Sequence, residues 1–410
     1  MSKPKFPNAP GVVVRARVDG TWVVFWLART DLVERGYRPK VVPLWRGLEP
    51  SAADAAWIAD QCTQMQTEML VWGRGGLPTE ASVYDGTVRG LIHVYKADVN
   101  SSFRKLRYRT KQHYDILCRR IARDHGDKLI SDISVRDIIE WHRVWSDSGV
   151  TMAHALIRMF RGLISFGMSL LEDPACEKLS LRLSKQRFEM GKSRTVTLTA
   201  EQATAIRTEA RNRKMPSIAL AQAIQFDGML RQKDVIGEYV PLSEPGTSDI
   251  VHAGTKWLHG LRWSEIDENL ICRHVTSKRQ KMIELDLKLM PMVCAELQLM
   301  FGSLDRAAMP ASGPVVVYER TRRPHGAYHF RTLWRSIATA VGVPKNVRNM
   351  DSRAGAISEA TDAGAELEHI RHAATHSDIA MTQKYSRGSA EKTAGVMRKR
   401  AEFRQNKKAT

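Results

Sequence analysis

Tyr114, Leu117, Cys118 and Ile121 fall at i, i+3, i+4 and i+7, and Leu156, Met159, Phe160 and Leu163 repeat that spacing further along the chain. Apolar residues at this period line one face of an α-helix and have to be buried against other helices. The region from about Val83 to Leu183 is therefore expected to be a helical bundle. What precedes it has the character of strands instead. Val12 to Ala28 reads VVVRARVDGTWVVFWLA, two β-rich runs around Asp19-Gly20, the dipeptide that a two-residue hairpin turn favours because it tolerates positive φ. After a basic turn at Arg38-Pro39-Lys40, a third strand fits Val41 to Trp45, and Ser51 with Asp54 is placed to cap an Ala-rich helix through Trp57, Ile58 and Met65. Residues 1–76 thus read as a ββ(β)α module ending in a linker composition, Gly73 to Gly76 followed by Pro78.

A basic, polar tether over residues 184–198 marks the main boundary, and Thr199-Ala-Glu-Gln202 is a capping box that opens a new helix. From there to residue 410 the chain mixes helices with one clear strand pair, Leu270 to Val275 and Met282 to Leu287, around the turn Thr276 to Lys281. That region reads as α+β. Between Asp234 and Trp263 an extra stretch with Pro241, Pro245 and Gly246 is expected to loop out on the surface. A basic run from Arg398 to Lys408 forms the tail. The fold class is multidomain, mainly α with small β elements.

Over 410 residues, 63 Lys+Arg against 44 Asp+Glu leave a net charge of +19, which calls for a polyanionic partner. With 43% hydrophobic and 26% charged residues, the chain can still bury a core. The polar sides of the bundle helices carry Arg104, Lys105, Arg107, Arg109, Lys111, Arg119, Arg120, Arg123, Arg158 and Arg161, more cations than the nearby carboxylates neutralise. They read as a nucleic-acid surface. No run is apolar enough for a membrane span, and the start MSKPKFPNAP lacks the core of a signal peptide, so a cytoplasmic, nucleoid-associated protein is expected. Cys62, Cys118, Cys176, Cys272 and Cys294 are scattered, with no C-x-x-C pair, and read as thiols in a reducing compartment.

In the last third, Arg353, His376 and Tyr385 stand in one order, and HSDIAMTQKY places the tyrosine nine positions after the histidine. This pattern resembles the tyrosine recombinase (phage integrase) family. The family's first arginine sits in a G-x-R-x-x-[ED] motif, matched by Gly228-Met-Leu-Arg231-Gln-Lys-Asp234 with one extra residue between Gly and Arg. Leu261-Arg-Trp263-Ser-Glu-Ile-Asp267 is similar to the segment leading into the family's β-hairpin, whose turn holds a lysine; Lys278 matches it, with Lys281 as the fallback. Met350 departs from the pattern, since the family usually has His or Lys three residues before the second arginine. The resemblance implies an arm-type DNA-binding module over 1–76, a helical core-binding domain over 83–183 and a catalytic domain over 199–410.

The chemistry accounts for such a gathering. In-line cleavage of a phosphodiester needs a nucleophile, charge neutralisation in the transition state and a proton for the leaving 5′ oxygen. Tyr385 would supply the first, Arg231 and Arg353 the second through paired N–H donors, and Lys278 the third. His376 would bond the phosphate or move a proton, and Asp234 would orient an arginine. His369 and His372 precede His376 at helical spacing without a carboxylate or cysteine cluster to complete a metal site, so no metal is expected; the resemblance implies His376 as the nearest replacement for the base missing at Met350, with His372 a weaker candidate one helical turn earlier. A phosphotyrosine conserves bond energy, and no phosphate-binding glycine loop occurs, so neither ATP nor another cofactor is expected.

The resemblance therefore implies a site-specific DNA recombinase that works through a 3′-phosphotyrosine and integrates or excises a prophage or integrative element. Its implied partners are double-stranded DNA, three further copies of the chain in a tetramer that clamps the duplex, and accessory DNA-bending or directionality factors. The alternatives are a catalytically silent DNA-binding protein that keeps the fold, and a chromosome or plasmid dimer resolvase.

Overall fold

The β-rich start of the chain closes into an antiparallel hairpin, β1 (Val12–Ala16) on β2 (Trp22–Leu27), in the computed structural model, which describes residues 3–35, 37, 39–73, 84–191, 194–376, 378–383, 397, 398 and 400. The turn is longer than the expected two residues. Arg17 N–H bonds to Thr21 O at 2.8 Å, Gly20 takes φ +77°, and the Thr21 N–H and hydroxyl donate to the Asp19 carboxylate at 3.0 and 2.6 Å. Asp19 thus closes the turn from inside it. A short helix not evident in the sequence, α1 (Thr30–Glu34), precedes β3 (Val41–Gly47), which completes the sheet order β1-β2-β3 and runs two residues past Trp45. Pro43 is tolerated because β3 is an edge strand. In α2 (Ala52–Gly73), Ser51 Oγ accepts the Asp54 N–H at 3.1 Å and the Asp54 carboxylate accepts the Ser51 N–H at 3.1 Å, a capping box. Trp26, Val24, Leu44, Ile58, Cys62 and Met69 form the core of this module. Beyond Gly73, the expected linker lies outside the described residues.

The same unit, Met1–Ser193, holds a second core built by α3 (Val88–Ala97), α4 (Tyr108–His125), α5 (Val135–Ser146), α6 (Val150–Leu170) and α7 (Pro174–Ser184). Both apolar stripes point inward as their spacing requires. Leu117, Cys118, Ile121, Leu156, Met159, Phe160 and Leu163 are buried together, with Tyr114 packed at the edge, and α6 lies against α3, α4, α5 and α7.

In the second unit, Arg194–Thr410, Thr199 and Gln202 form the capping box of α8 (Ala200–Asn212). Next comes α9 (Pro216–Asp227), buried at every residue from Ser217 to Phe226, which makes it the central rod of the unit. Then follow α10 (Gln232–Ile236), β4 (Glu238–Pro241), β5 (Val251–His252), β6 (Thr255–Leu258), β7 (Ile271–Val275), β8 (Met282–Asp286), α11 (Pro291–Phe301), β9 (Val317–Tyr318), β10 (Arg323–Pro324), α12 (Ala327–Ala340), α13 (Asp351–Asp362), α14 (Leu367–Ala373) and α15 (Ile379–Gln383). Around α9 pack α8, α11 and α13. Gly355 permits the close approach of α13 to the start of the unit, because a Cβ there would sit 1.8 Å from the Leu198 carbonyl oxygen.

The stretch expected to loop out is instead a small antiparallel sheet of order β4-β6-β5. Backbone groups in a long excursion need partners, and pairing supplies them. Lys256, 8% exposed, fastens the loop from within, donating to the carbonyls of Leu242 at 3.1 Å and Gly246 at 2.6 Å and to that of Glu244. The segment between β4 and β5 still lies on the surface, with Leu242, Pro245, Gly246, Thr247 and Asp249 exposed, as are both residues of β5. All five cysteines are free thiols, four of them buried. Among the described residues no helix is long and apolar enough to cross a membrane.

Candidate active site

The central helix delivers the first arginine. After α9 the backbone turns sharply through Met229, at φ +50°, and Arg231 stands at the N-cap of α10 with its side chain 23% exposed. Asp234, fully buried one turn on, lies 3.8 Å from Arg231 Nη1 through one oxygen and accepts the Ser277 N–H at 2.7 Å through the other. Asp234 therefore does two things: it faces the arginine, and it pins the tip of the β7–β8 hairpin beside it. The tip carries Lys278, Arg279 and Lys281, all exposed.

Arg353, 8% exposed on α13, donates through Nη1 to the Met229 carbonyl at 2.7 Å and through Nη2 to that of Ala374. The next residue, Thr375, accepts from Arg231 Nη1 at 3.1 Å through its hydroxyl, and the residue after that is His376. Three consecutive residues past α14 thus touch the second arginine, touch the first, and supply the imidazole. His376 is 3% exposed, and its Nδ1 lies 3.0 Å from the hydroxyl of Thr382, itself fully buried. Burial first, and then the charges of Arg353, Arg231 and Arg279, push the His376 pKa down to about 4. The ring is neutral at pH 7. It can accept a proton, while the arginines keep the site cationic.

Arg231, Asp234, Arg353 and His376 are brought together, with Lys278 at the end of a pinned hairpin. Tyr385 lies outside the described residues. His372 is exposed on α14, away from the buried His376, and His369 faces Glu366 at 3.7 Å. Met350, at the N-cap of α13, is 61% exposed. Among the described residues no group of three or more His, Cys, Asp or Glu side chains could hold a metal ion. Sequence reasoning missed Thr375, Thr382 and Arg279. For the threonines no sequence signal existed, and Arg279 was indistinguishable from its basic neighbours.

The arginines of the bundle are placed differently from what their number suggests. Arg119 pairs with Asp115 at 2.7 Å, Arg120 and Arg123 both pair with Asp124 at 2.6 and 2.8 Å, and Arg161 donates to the carbonyls of Leu183 and Gln186 at 2.9 and 3.0 Å. Their acids lie one residue or one helical turn away, but only two carboxylates serve the three arginines and Asp115 also pairs with Lys96 at 2.6 Å, so cations outnumber the acids that face them. Arg107, Arg109 and Arg158 are exposed, with Arg109 donating to Gln112 at 2.9 Å, and Lys111 is half-buried.

No family model and no curated protein matches the chain. Solved structures do. A lambda integrase dimer bound to a COC′ core site is 14% identical, with 95% of this chain and 97% of that chain covered at a TM-score of 0.56. A lambda integrase tetramer bound to a Holliday junction is 14% identical over 91% of this chain and 96% of that one, TM-score 0.54. The Tn1549 transposon integrase in complex with circular intermediate DNA is 14% identical over 76% and 98%, TM-score 0.54. With its sequence order of arginine, hairpin, arginine and histidine set on these elements, the chain has the tyrosine-recombinase fold of these integrases.

Proposed function

We propose that the protein is a site-specific recombinase that cuts and rejoins double-stranded DNA through a 3′-phosphotyrosine at Tyr385. The observation that carries this reading is the turn Ala374–His376, which touches both Arg353 and Arg231 while presenting a neutral, buried imidazole. Such a site suits a phosphodiester. Arg231 and Arg353 hold the non-bridging oxygens and spread the charge of the transition state. The Tyr385 hydroxyl attacks phosphorus as its proton passes to His376, the bond to the 5′ oxygen breaks, and Lys278 protonates that oxygen, with Lys281 as its substitute. Reversal by another strand's 5′ hydroxyl releases the tyrosine and restores a phosphodiester, so no external energy source enters.

The reading extends to a tetramer on DNA that serves a prophage or integrative element with accessory factors. Attachment-like direct repeats flanking the gene would support this role over that of a dimer resolvase. The central test is incubation with a nicked suicide duplex. A protein–DNA adduct that survives denaturant is expected from the natural protein and none from Tyr385→Phe. Persistence of the adduct in that variant would overturn the assignment of the nucleophile.

A further inference from the structure

Two separate holds fix the imidazole of His376. The first acts on its backbone: the His376 N–H donates to the Arg371 carbonyl at 2.9 Å, and the His376 carbonyl accepts from Arg371 Nη1 at 3.0 Å. Glu368 keeps that guanidinium in place, accepting from its Nε at 2.8 Å. The second acts on the ring itself, whose Nδ1 lies 3.0 Å from the Thr382 hydroxyl with both side chains buried. Thr382 stands on α15, where Ile379 and Ala380 are exposed and Asp378, just before the helix, accepts the Ala380 N–H at 3.0 Å. Among the described side chains of α15, the threonine is the one that reaches inward.

With the backbone held, what remains open is which ring nitrogen carries the proton. A neutral imidazole has one N–H and one unprotonated nitrogen, and a hydroxyl can serve either. Electrostatics separates the two forms. The charges that act on the ring are the guanidiniums of Arg353, Arg231 and Arg279. Guanidiniums donate and never accept, so they favour a lone pair over an N–H on the nitrogen that is not committed to Thr382. That puts the lone pair on Nε2 and the proton on Nδ1. A buried N–H then requires an acceptor, and the Thr382 oxygen is placed to be one.

We propose that Thr382 is a positioning residue that holds His376 in its Nδ1–H form, so that Nε2 is the atom that takes the proton of the attacking tyrosine. Met350 gives this hold its weight. A thioether accepts no proton usefully, and this one is 61% exposed, so proton acceptance falls to His376 and depends on its tautomer. Thr382 also stands three residues before Tyr385 in the sequence, so the segment that leads into the nucleophile sets the state of its base. The role in cleavage rests on the recombinase reading proposed above, whereas the tautomer is a property of the protein without DNA.

Full-length protein carrying ¹⁵N-labelled histidine tests it, because a long-range ¹H–¹⁵N correlation spectrum separates protonated from unprotonated ring nitrogens. The signals of His376 are those lost in His376→Gln. At neutral pH the natural protein and Thr382→Ser should show Nδ1 protonated and Nε2 unprotonated. In Thr382→Val, which keeps the shape and lacks the hydroxyl, the Nε2–H form should appear. On a nicked suicide duplex, Thr382→Val should bind with unchanged affinity and cleave about ten- to a hundredfold more slowly, part of the roughly 10²- to 10⁴-fold that a general base contributes. Thr382→Ser should cleave close to the natural rate. An Nε2–H ring in the natural protein would overturn the inference, whether or not the valine variant folds. So would a valine variant with both the natural tautomer and the natural rate. Natural protein that shows the Nδ1–H form yet gives no covalent adduct would overturn the recombinase reading instead, and leave the tautomer standing.

Discussion

Thr375 takes φ +51°, where a β-branched side chain is strained, and it does so while 5% exposed and bonded to Arg231. Glycine would suit the backbone, so the hydroxyl is the feature that explains threonine there: Thr375 is a positioning residue for the first arginine. Thr375→Gly should leave the melting temperature within a few degrees and duplex affinity unchanged, but slow single-turnover cleavage about ten- to a hundredfold as Arg231 loses its fixed geometry. Thr375→Ser should restore the rate. A slow serine variant would reduce the residue to packing. His376 was legible from its spacing to Tyr385, whereas nothing in the sequence marks a threonine whose backbone is left-handed. Met350 was legible as a departure, and its 61% exposure leaves room for an imidazole. General acid–base help is worth about 10²- to 10⁴-fold. The natural protein should therefore cleave slowly, Met350→His should match or exceed it, and His376→Ala should cost more than His372→Ala. No cleavage without Met350→His, and rescue with it, would favour a silent DNA-binding protein.

Among the elements, the β7–β8 hairpin was legible because its strands alternate and its turn is polar, but its attachment was not. Ser277 N–H on the buried Asp234 joins residues far apart in sequence, and only the fold brings them within 2.7 Å. The extra sheet β4-β6-β5 was hidden for a related reason, since Pro241, Pro245 and Gly246 signal a loop while the pairing that overrides them is tertiary. Asp234→Ala would leave the Ser277 N–H without its acceptor, a loss on the order of 1–3 kcal/mol, and would release the tip. Trypsin should then cut at Lys278, Arg279 or Lys281 faster than in the natural protein, and cleavage of DNA should slow with little change in binding. Asp234→Asn keeps an acceptor and should cut more slowly than the alanine variant. Equal trypsin sensitivity in all three proteins would mean that Asp234 does not pin the hairpin.

For the whole molecule, the +19 charge was readable from composition, but which cations are neutralised was not, because ion pairing depends on where side chains meet. The same holds for histidines, whose burial decides how stability responds to acid. His125 in the first unit, stacked on Trp141 with centroids 3.8 Å apart, and His325 and His376 in the second are each pushed to about 4, chiefly by burial. An unfolded chain has histidine near 6.5, so between pH 6.5 and about 4 the unfolded state binds protons that the folded state refuses. Stability is then complete above pH 6.5, falls as the pH drops toward 4, and loses nothing more from this source below it. Carboxylates act later. Hydrogen bonds from Ser134 hold Asp137 at about 2, and arginines or lysine lower Asp115 and Asp124, so their contribution fades only as the pH falls from about 4 downward. At pH 5 the loss is on the order of 2 kcal/mol for each of His325 and His376. Urea unfolding followed by tryptophan fluorescence should show midpoints dropping from pH 7.5 to 6 to 5. His125→Phe should flatten that dependence for the first unit and His325→Phe for the second. If duplex binds as proposed, its phosphate beside His376 would favour the imidazolium, and added duplex should then soften the acid loss of the second unit only. A midpoint that stays constant from pH 7.5 to 5 would mean that these rings are accessible to protons in the folded protein, and would also remove the neutral imidazole from the proposed cleavage step.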